Sequence, residues 1–438
     1  MTLRNLLALL ALAVAGHSTA WAQDGTTDPA FSAVPFNRWL GEGDQTHFRW
    51  TARVSGAELS SHQRLLTKVE IEVDGAELVS RRGHGELVMM IQFQDSAERV
   101  YQAHGSIDLA EVKDEAAKSN FNYAQEAFVL PGDYRVSMVI FDTKTGEHSA
   151  MQKPLHVNAL RNDPLPRAWK DLPAVELLHA MDAPDVWFHP DIKGQLQLPL
   201  TTRRPLRVEV LMNASATGPM RGLSVGTSST RSLGNLLPAL KVLSRVEVAG
   251  GGLRVTLLDI PKRHVIFEQD AVHPLDWERV RGALTEADPN KIDVRALEHR
   301  EQNAQFFVEQ VRQRLAAGGG EGEKPFRVLL VLSGPTTFNS GEDMHPIEPS
   351  HDPNTKVYYL RFHVPPERLT VPPLPFYTPG PQGRRGGLAT SQQPGIVAEP
   401  FDSLEPLMKP LQPRLYDIYS PEQFRKILGG LLDEIGRL

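Results

Sequence analysis

Apolar residues change their spacing several times along this chain, and each change marks a different kind of element. An unbroken apolar run over residues 6–15 follows Arg4 and precedes the small-x-small triplet Ala20-Trp21-Ala22. A permanent bilayer-spanning helix needs roughly 20 apolar residues. The shorter run with that triplet behind it therefore reads as a signal peptide over residues 1–22, cleaved before Gln23. Residues 23–47 read as a flexible lead-in, because their first part is small and polar. From residue 48 the pattern becomes that of strands. Residues 65–73 alternate apolar with other residues, and Asp74-Gly75 is a hairpin turn signal. Residues 86–93, 127–130, 134–141 and 150–157 are further strands, with Pro131-Gly132-Asp133 and Lys144-Thr145-Gly146 as turns. Short strands at regular spacing predict an antiparallel β-sandwich over residues 48–158.

Residues 159–205 are rich in Pro, Trp and charge without a clear period. They read as a connector ending in a strand near 195–201. After Pro205 strands and helices alternate. Strands are expected at 206–212, 253–260, 264–269, 327–332, 356–364 and 414–419. A helix over 232–246 aligns Leu233, Leu236, Leu237, Leu240 and Leu243. Shorter periodic stretches predict helices over 277–286 and 301–317, the latter with Ala304, Phe307, Val308, Val311 and Leu315 on one face. Ser420-Pro421-Glu422-Gln423 is a helix start, with Ser at N-cap, Pro at N1 and Gln at N3. The nearly continuous apolar strand at 327–332 suits a buried parallel sheet. The expected second domain, residues 206–438, is α/β with helices on both faces. Its interruption is a run with 12 prolines in residues 365–413, which predicts an extended insertion at about 366–400.

Composition narrows the chemistry. The 438 residues include no cysteine, which excludes disulfides, a thiol nucleophile and cysteine-ligated metals. Removing residues 1–22 takes one arginine from the 47 basic residues, leaving 46 against 53 acidic ones and a net charge of −7. That balance offers no general attraction to nucleic acid or to an anionic membrane. No later stretch is apolar for long enough to predict a transmembrane segment after signal cleavage. Secreted or periplasmic residence is the expectation.

Three local constellations carry possible chemistry. Gly222-Leu223-Ser224-Val225-Gly226 matches the hydrolase nucleophile pattern, but that elbow joins strand directly to helix. Here the expected strand ends near Asn213 and the helix begins near Ser232, so Ser224 lies in mid-loop. Glu342-Asp343-Met344-His345, with Glu348 and His351-Asp352, is the densest acid and histidine cluster, and offers a replacement metal site through His345 and His351. Its alternative is a solvated loop held by prolines. The glycine runs 250–252 and 318–320 follow helices and precede strands, the order of C-caps rather than of phosphate cradles.

In the order and spacing of its segments the chain resembles the VWFA-related domain family of exported bacterial proteins, built around a von Willebrand factor type A domain. The resemblance covers residues 48–438. In front it rests on Glu58-Leu59-Ser60, Gln63-Arg64, Val69-Glu70-Ile71-Glu72-Val73-Asp74-Gly75 and Leu130-Pro131-Gly132-Asp133-Tyr134. Behind, it rests on Arg207-Val208-Glu209-Val210-Leu211-Met212-Asn213, Arg327-Val328-Leu329-Leu330-Val331-Leu332-Ser333 and Arg414-Leu415-Tyr416-Asp417-Ile418. The fold class it implies is an N-terminal antiparallel β-sandwich followed by a Rossmann-like von Willebrand factor A-type α/β domain. Type A domains often carry a metal-ion-dependent adhesion site: Asp-x-Ser-x-Ser after the first strand, a later Thr, and an Asp after the fourth strand. The corresponding residues here are Asn213-Ala214-Ser215-Ala216-Thr217, then Asn290-Lys291-Ile292-Asp293, then Ser333-Gly334-Pro335. Both carboxylates and the later Thr are replaced. Asn213, Ser215 and Thr217 thus form a degenerate site expected to be vestigial, with Asp293, Glu342 or Asp343 as the residues able to restore charge for Mg²⁺ or Ca²⁺. The expected function is non-enzymatic and without a cofactor: an exported binding protein that contacts another protein or a cell-envelope component. The alternatives are an exported hydrolase using Ser224 or a His345/His351 metal site, and a divalent-cation-dependent adhesin.

Overall fold

The structure is a computed structural model. It describes residues 28–42, 48–83, 85–178, 192–215, 225–249, 251–270, 272, 274–287, 294, 298–316, 325–338, 345–348, 353–363 and 402–438. The fold is mixed α/β, with antiparallel sheets and one mostly parallel sheet. Two compact units divide it: residues 1–200, 241–247 and 425–434 in unit 1, and residues 201–240, 248–424 and 435–438 in unit 2. The expected signal peptide (1–22) and the core of the proline-rich insertion (366–400) lie outside the described residues.

Unit 1 holds two antiparallel sheets. In the first, β1 (Trp50–Val54), β3 (Leu65–Val73), β6 (Phe121–Val129) and β9 (Val175–Leu177) are neighbours, and β2 (Glu58–Leu59) pairs with β3. The second has the order β5-β4-β7-β8, from β4 (Glu86–Asp95), β5 (Val100–Asp108), β7 (Gly132–Asp142) and β8 (His148–Val157). Strict alternation in β3 buries Val69, Ile71 and Val73, which share one core with Leu87, Met89, Ile91, Val136, Met138 and Ile140 of the second sheet. A short sheet of β10 (Leu198–Leu200) and β12 (Val246–Val248) lies apart from these. The Leu130–Tyr134 stretch turns the chain between β6 and β7. The Tyr134 hydroxyl donates to the Leu130 carbonyl at 2.8 Å and also lies 3.1 Å from the Ala174 carbonyl. Burial pushes its pKa up to about 12.

Unit 1 departs from the pattern read in the sequence at β5, at β9 within the expected connector, at the lead-in and at Asp74-Gly75. Within the expected lead-in stand α1 (Pro29–Ser32), capped by the Asp28 carboxylate, and α2 (Phe36–Glu42). Their Phe31, Phe36 and Trp39 pack on Val88, Met90, Val139 and Phe141, the outer face of the second sheet. That face is apolar as well as the inner one, so β4 and β7 are buried on both sides and need such a cover. Asp74-Gly75, expected as a hairpin turn, instead opens α3 (Gly75–Ser80). Asp74 accepts from the Ala76 and Glu77 amides at 2.7 and 3.1 Å. An Asx cap and a tight turn use the same residues, so only packing separates them. A Cβ on Gly75 would lie 1.9 Å from the Ala116 carbonyl oxygen.

Unit 2 centres on six strands: β11 (Leu206–Asn213), β13 (Gly252–Asp259), β14 (His264–Gln269), β15 (Phe326–Ser333), β16 (Thr355–Phe362) and β17 (Arg414–Ile418). Their order is β14-β13-β11-β15-β16-β17, all parallel except the edge strand β14. Counted in order of appearance in this sheet, that is 3-2-1-4-5-6. The helices are α4 (Val225–Leu243), α5 (Trp277–Glu286), α6 (Asn303–Ala316), α7 (Leu404–Met408) and α8 (Pro421–Gly436), of which residues 241–243 of α4 and 425–434 of α8 belong to unit 1. The expected leucine stripe of α4, Leu233 to Leu243, is buried throughout. From α6, Ala304, Phe307, Val308 and Val311 join Leu211, Val331 and Tyr359 of the sheet in one core, together with Leu404, Leu407 and Met408 of α7. The Phe424 ring of α8 meets Phe362 edge-on, with centroids 5.3 Å apart. Its start is capped reciprocally: Ser420 Oγ accepts from the Gln423 amide at 3.3 Å, and Gln423 Oε1 accepts from the Tyr419 amide at 2.7 Å.

Candidate functional site

Parallel strands end together, and in open α/β sheets the ligand-binding groups gather at their carboxyl ends. Here the register sets a polar row at that end. Met212 pairs with Leu332, Ser333 with Arg361, and Arg361 with Asp417. Asn213, Ser333, Arg361 and Asp417 therefore follow one another across β11, β15, β16 and β17. Each follows an apolar stretch of its own strand, so the row closes off the core that Leu211, Val331 and Tyr359 form one step below.

The two buried groups at the centre of the sheet, Asn213 and Ser333, bond to neighbouring groups of the protein. The Asn213 amide nitrogen donates to Ser333 Oγ at 3.1 Å and to Thr336 Oγ1 at 3.0 Å. Its carbonyl oxygen accepts from the Ser215 amide at 3.2 Å and the Ser215 hydroxyl at 2.8 Å. Ser215 Oγ in turn accepts from the Ile260 amide at 3.0 Å, tying β11 to the end of β13. Both the Ser333 and the Thr336 hydroxyls donate to the Gly334 carbonyl, at 2.6 and 3.1 Å. The result is a neutral polar knot around Asn213, which is 1% exposed.

One carboxylate, distant in sequence, stands next to the knot. Asp402 precedes α7 and is 1% exposed at its side chain. Its Oδ1 accepts from the Thr336 and Leu404 amides at 3.1 and 3.3 Å. Its Oδ2 accepts from the Tyr359 hydroxyl at 2.7 Å and from Arg361 Nη1 at 3.3 Å. Burial, reinforced by the Asp402 charge, holds the Tyr359 hydroxyl well above its ordinary pKa. Arg361 also forks onto Asp417, with Nε–Oδ1 at 2.6 Å and Nη2–Oδ2 at 3.0 Å. Burial works against ionised Asp417, yet the bonds from Arg361 and His363 hold its pKa below the usual carboxylate range. His363 stacks on Tyr419 with centroids 4.2 Å apart.

No family model matches the sequence, and no curated protein matches it. Among solved structures, a Northeast Structural Genomics Consortium target is 13% identical, with a TM-score of 0.18 over 27% of this chain and 94% of its own. A putative ApaA protein from Bordetella pertussis is 14% identical, with a TM-score of 0.16 over 26% of this chain and 97% of its own. Likenesses this slight carry no argument about fold or activity.

Of the residues singled out in the sequence, Asn213 and Ser215 come together, and the Gly334 carbonyl accepts from the two hydroxyls that Asn213 bonds, Ser333 and Thr336. Thr217, Ser224, residues 290–293, Glu342, Asp343 and His351 lie outside the described residues; His345 is exposed. Among the described residues no group of three or more His, Asp or Glu is arranged to hold a metal. The donor set at the strand ends does not fit Mg²⁺ or Ca²⁺. Asn213 has both amide atoms engaged, and Asp402 already accepts four hydrogen bonds. Hard divalent ions need several oxygens with charge to spare. A sequence signal for these residues lies in β16: Tyr359 and Arg361, with His363 just past the strand, recur at every second position, which marks a polar face at its carboxyl end.

Proposed function

We propose that this chain is an exported, non-enzymatic binding protein. In this reading unit 1 is a β-sandwich and unit 2 a von Willebrand factor A-type domain, which offers its surface to another protein or to a cell-envelope component without a cation. The 3-2-1-4-5-6 strand order with one antiparallel edge strand supports the domain assignment. The observation that carries the functional reading is the Asn213 knot. Where an adhesion site would present a carboxylate to a metal, an amide donates hydrogen bonds to two hydroxyls and closes the position. Among the described residues no helix is long and apolar enough to cross a membrane.

The test is isothermal titration of the mature chain with Mg²⁺, Ca²⁺ and Mn²⁺, together with partner capture from the native host in the presence and absence of chelator. The expected result is no saturable heat at millimolar ion and capture that chelator leaves unchanged. One-site binding that disappears in a Ser215→Ala, Thr217→Ala variant would replace this reading with the cation-dependent adhesin.

A further inference from the structure

Unit 1 contains a second concentration of charge, independent of the strand ends of unit 2. Arg64 follows the β2–β3 turn and is 3% exposed. Its guanidinium lies 4.5 Å over the Phe128 ring, and its Nη1 donates to Glu176. The Glu176 carboxylate is fully engaged. Besides Arg64 it accepts from the Lys193 amide at 2.6 Å and from the Gly194 amide at 3.1 Å. Gly194 leaves no room between these groups, since a Cβ there would lie 2.6 Å from Arg64 Nη1 and 2.7 Å from Glu176 Oε2. The second amino group of Arg64, Nη2, is buried and has no hydrogen-bond partner. A buried, charged donor left unpaired is costly, so its retention calls for an acceptor.

Around Arg64 lies a small, partly open pocket with a cavity volume of ≈ 20 Å³. His62, Lys241 and Arg245 line it along with Arg64, and no acidic residue does so among the described residues. Lys241 is 7% exposed. Arg245 has its guanidinium bonded to the neutral Gln195 side chain at 2.8 Å, and burial lowers its pKa. Three basic side chains thus line a space where one carboxylate, Glu176, is already saturated. Guanidinium groups are suited to oxyanions because their donors lie in a planar fork.

We propose that this pocket binds one small oxyanion, a phosphate or a carboxylate group, between Arg64 Nη2 and the Arg245 guanidinium. The anion supplies the acceptor that Arg64 Nη2 lacks. The remaining apolar lining, Ile192, Leu196 and Val242, restricts the ligand to a single charged head with little else attached.

The experiment is isothermal titration of the full chain at pH 7 and constant ionic strength, with inorganic phosphate, acetate and chloride as separate titrants. One-site binding of phosphate, of acetate or of both is expected, and whichever binds identifies the charged group. Arg245→Gln should weaken that binding roughly tenfold or more, the scale of one charge-assisted hydrogen bond. Its melting temperature without ligand should stay close to that of the unmodified chain, because the bond from Arg245 to Gln195 joins it to a neutral side chain at the surface. Arg64→Lys keeps the charge beside Glu176 but removes Nη2, and should also weaken binding. The proposal is overturned if neither oxyanion gives saturable heat, if chloride binds as well as they do, or if both variants bind unchanged.

Discussion

Replacing Asn213 by aspartate tests the knot directly, because the change keeps the shape and reverses the role of one atom. In the native protein Nδ2 is a donor to Ser333 Oγ and Thr336 Oγ1. Asn213→Asp puts an anionic oxygen there instead. Both hydroxyls already donate to the Gly334 carbonyl, so either they abandon it or they present lone pairs to the new charge. Two hydrogen bonds at about 1 kcal/mol each are lost or exchanged. A carboxylate at a position 1% exposed also lacks a counter-ion, since Arg361 is shared by Asp402, Glu405 and Asp417. Breaking the balance of a buried charge costs about 3–5 kcal/mol, which sets the scale of the whole effect. The assay is urea unfolding of the native and substituted chains, following the transition of unit 2 if the units unfold separately. The sign with pH is fixed by burial. It raises the folded pKa of the new carboxyl above its unfolded value of about 3.9. The penalty is therefore absent below that value and complete only above the raised folded pKa, so the gap between the two proteins should shrink as pH falls from 7 towards 4. A loss under about 1 kcal/mol at pH 7, or one that does not change with pH, would refute the account of Asn213 as an obligatory donor.

Three further outcomes follow from unit 1. Arg425, 2% exposed at its side chain, forks onto Asp163 at 2.7 and 2.8 Å, and Arg425→Met should cost about 3–5 kcal/mol by stranding the Asp163 carboxylate. A double-mutant cycle with Asp163→Asn checks this, and additive losses would contradict it. His104 bonds to Asp28 at 2.6 Å, which raises its pKa against the opposing effect of burial and helps to hold α1 to the sheet. Its contribution is complete below the unfolded histidine value of about 6.5 and is lost as pH rises through the raised folded value, so the stability difference from His104→Gln should narrow above neutrality. A difference that stays constant from pH 5 to pH 9, as read in parallel denaturation curves, would contradict that coupling. Gly75→Ala drives a Cβ to within 2.0 Å of both the Ala116 and the Ser119 carbonyl oxygens, so a loss of about 1–3 kcal/mol is expected in thermal melts.

Much of the secondary structure was legible because its causes are local. Alternation in β3, the leucine stripe of α4 and the Ser420–Gln423 cap depend on residues a few positions apart, and each stands where its spacing predicts. The same holds for half of the candidate site. Asn213 and Ser215 meet because they are two residues apart, and the Asx geometry brings the second to the first. Other features were decided elsewhere. β5 carries Gln102, His104 and Ser106 with little apolar alternation, and it is a strand because β4 offers it an edge. The lead-in helices exist because the outer face of β4 and β7 is apolar, something no residue between 28 and 42 encodes. Asp74-Gly75 suits a hairpin or a helix cap equally well until the close approach of residues 116–119 selects the cap. Asp402 reaches Thr336 across 66 residues of sequence, and Arg361 meets Asp417 across 56. Periodicity and capping are properties of near neighbours, so a sequence displays them openly. Which charge faces which across a sheet depends on strand order and register, and those are settled only when the whole core packs.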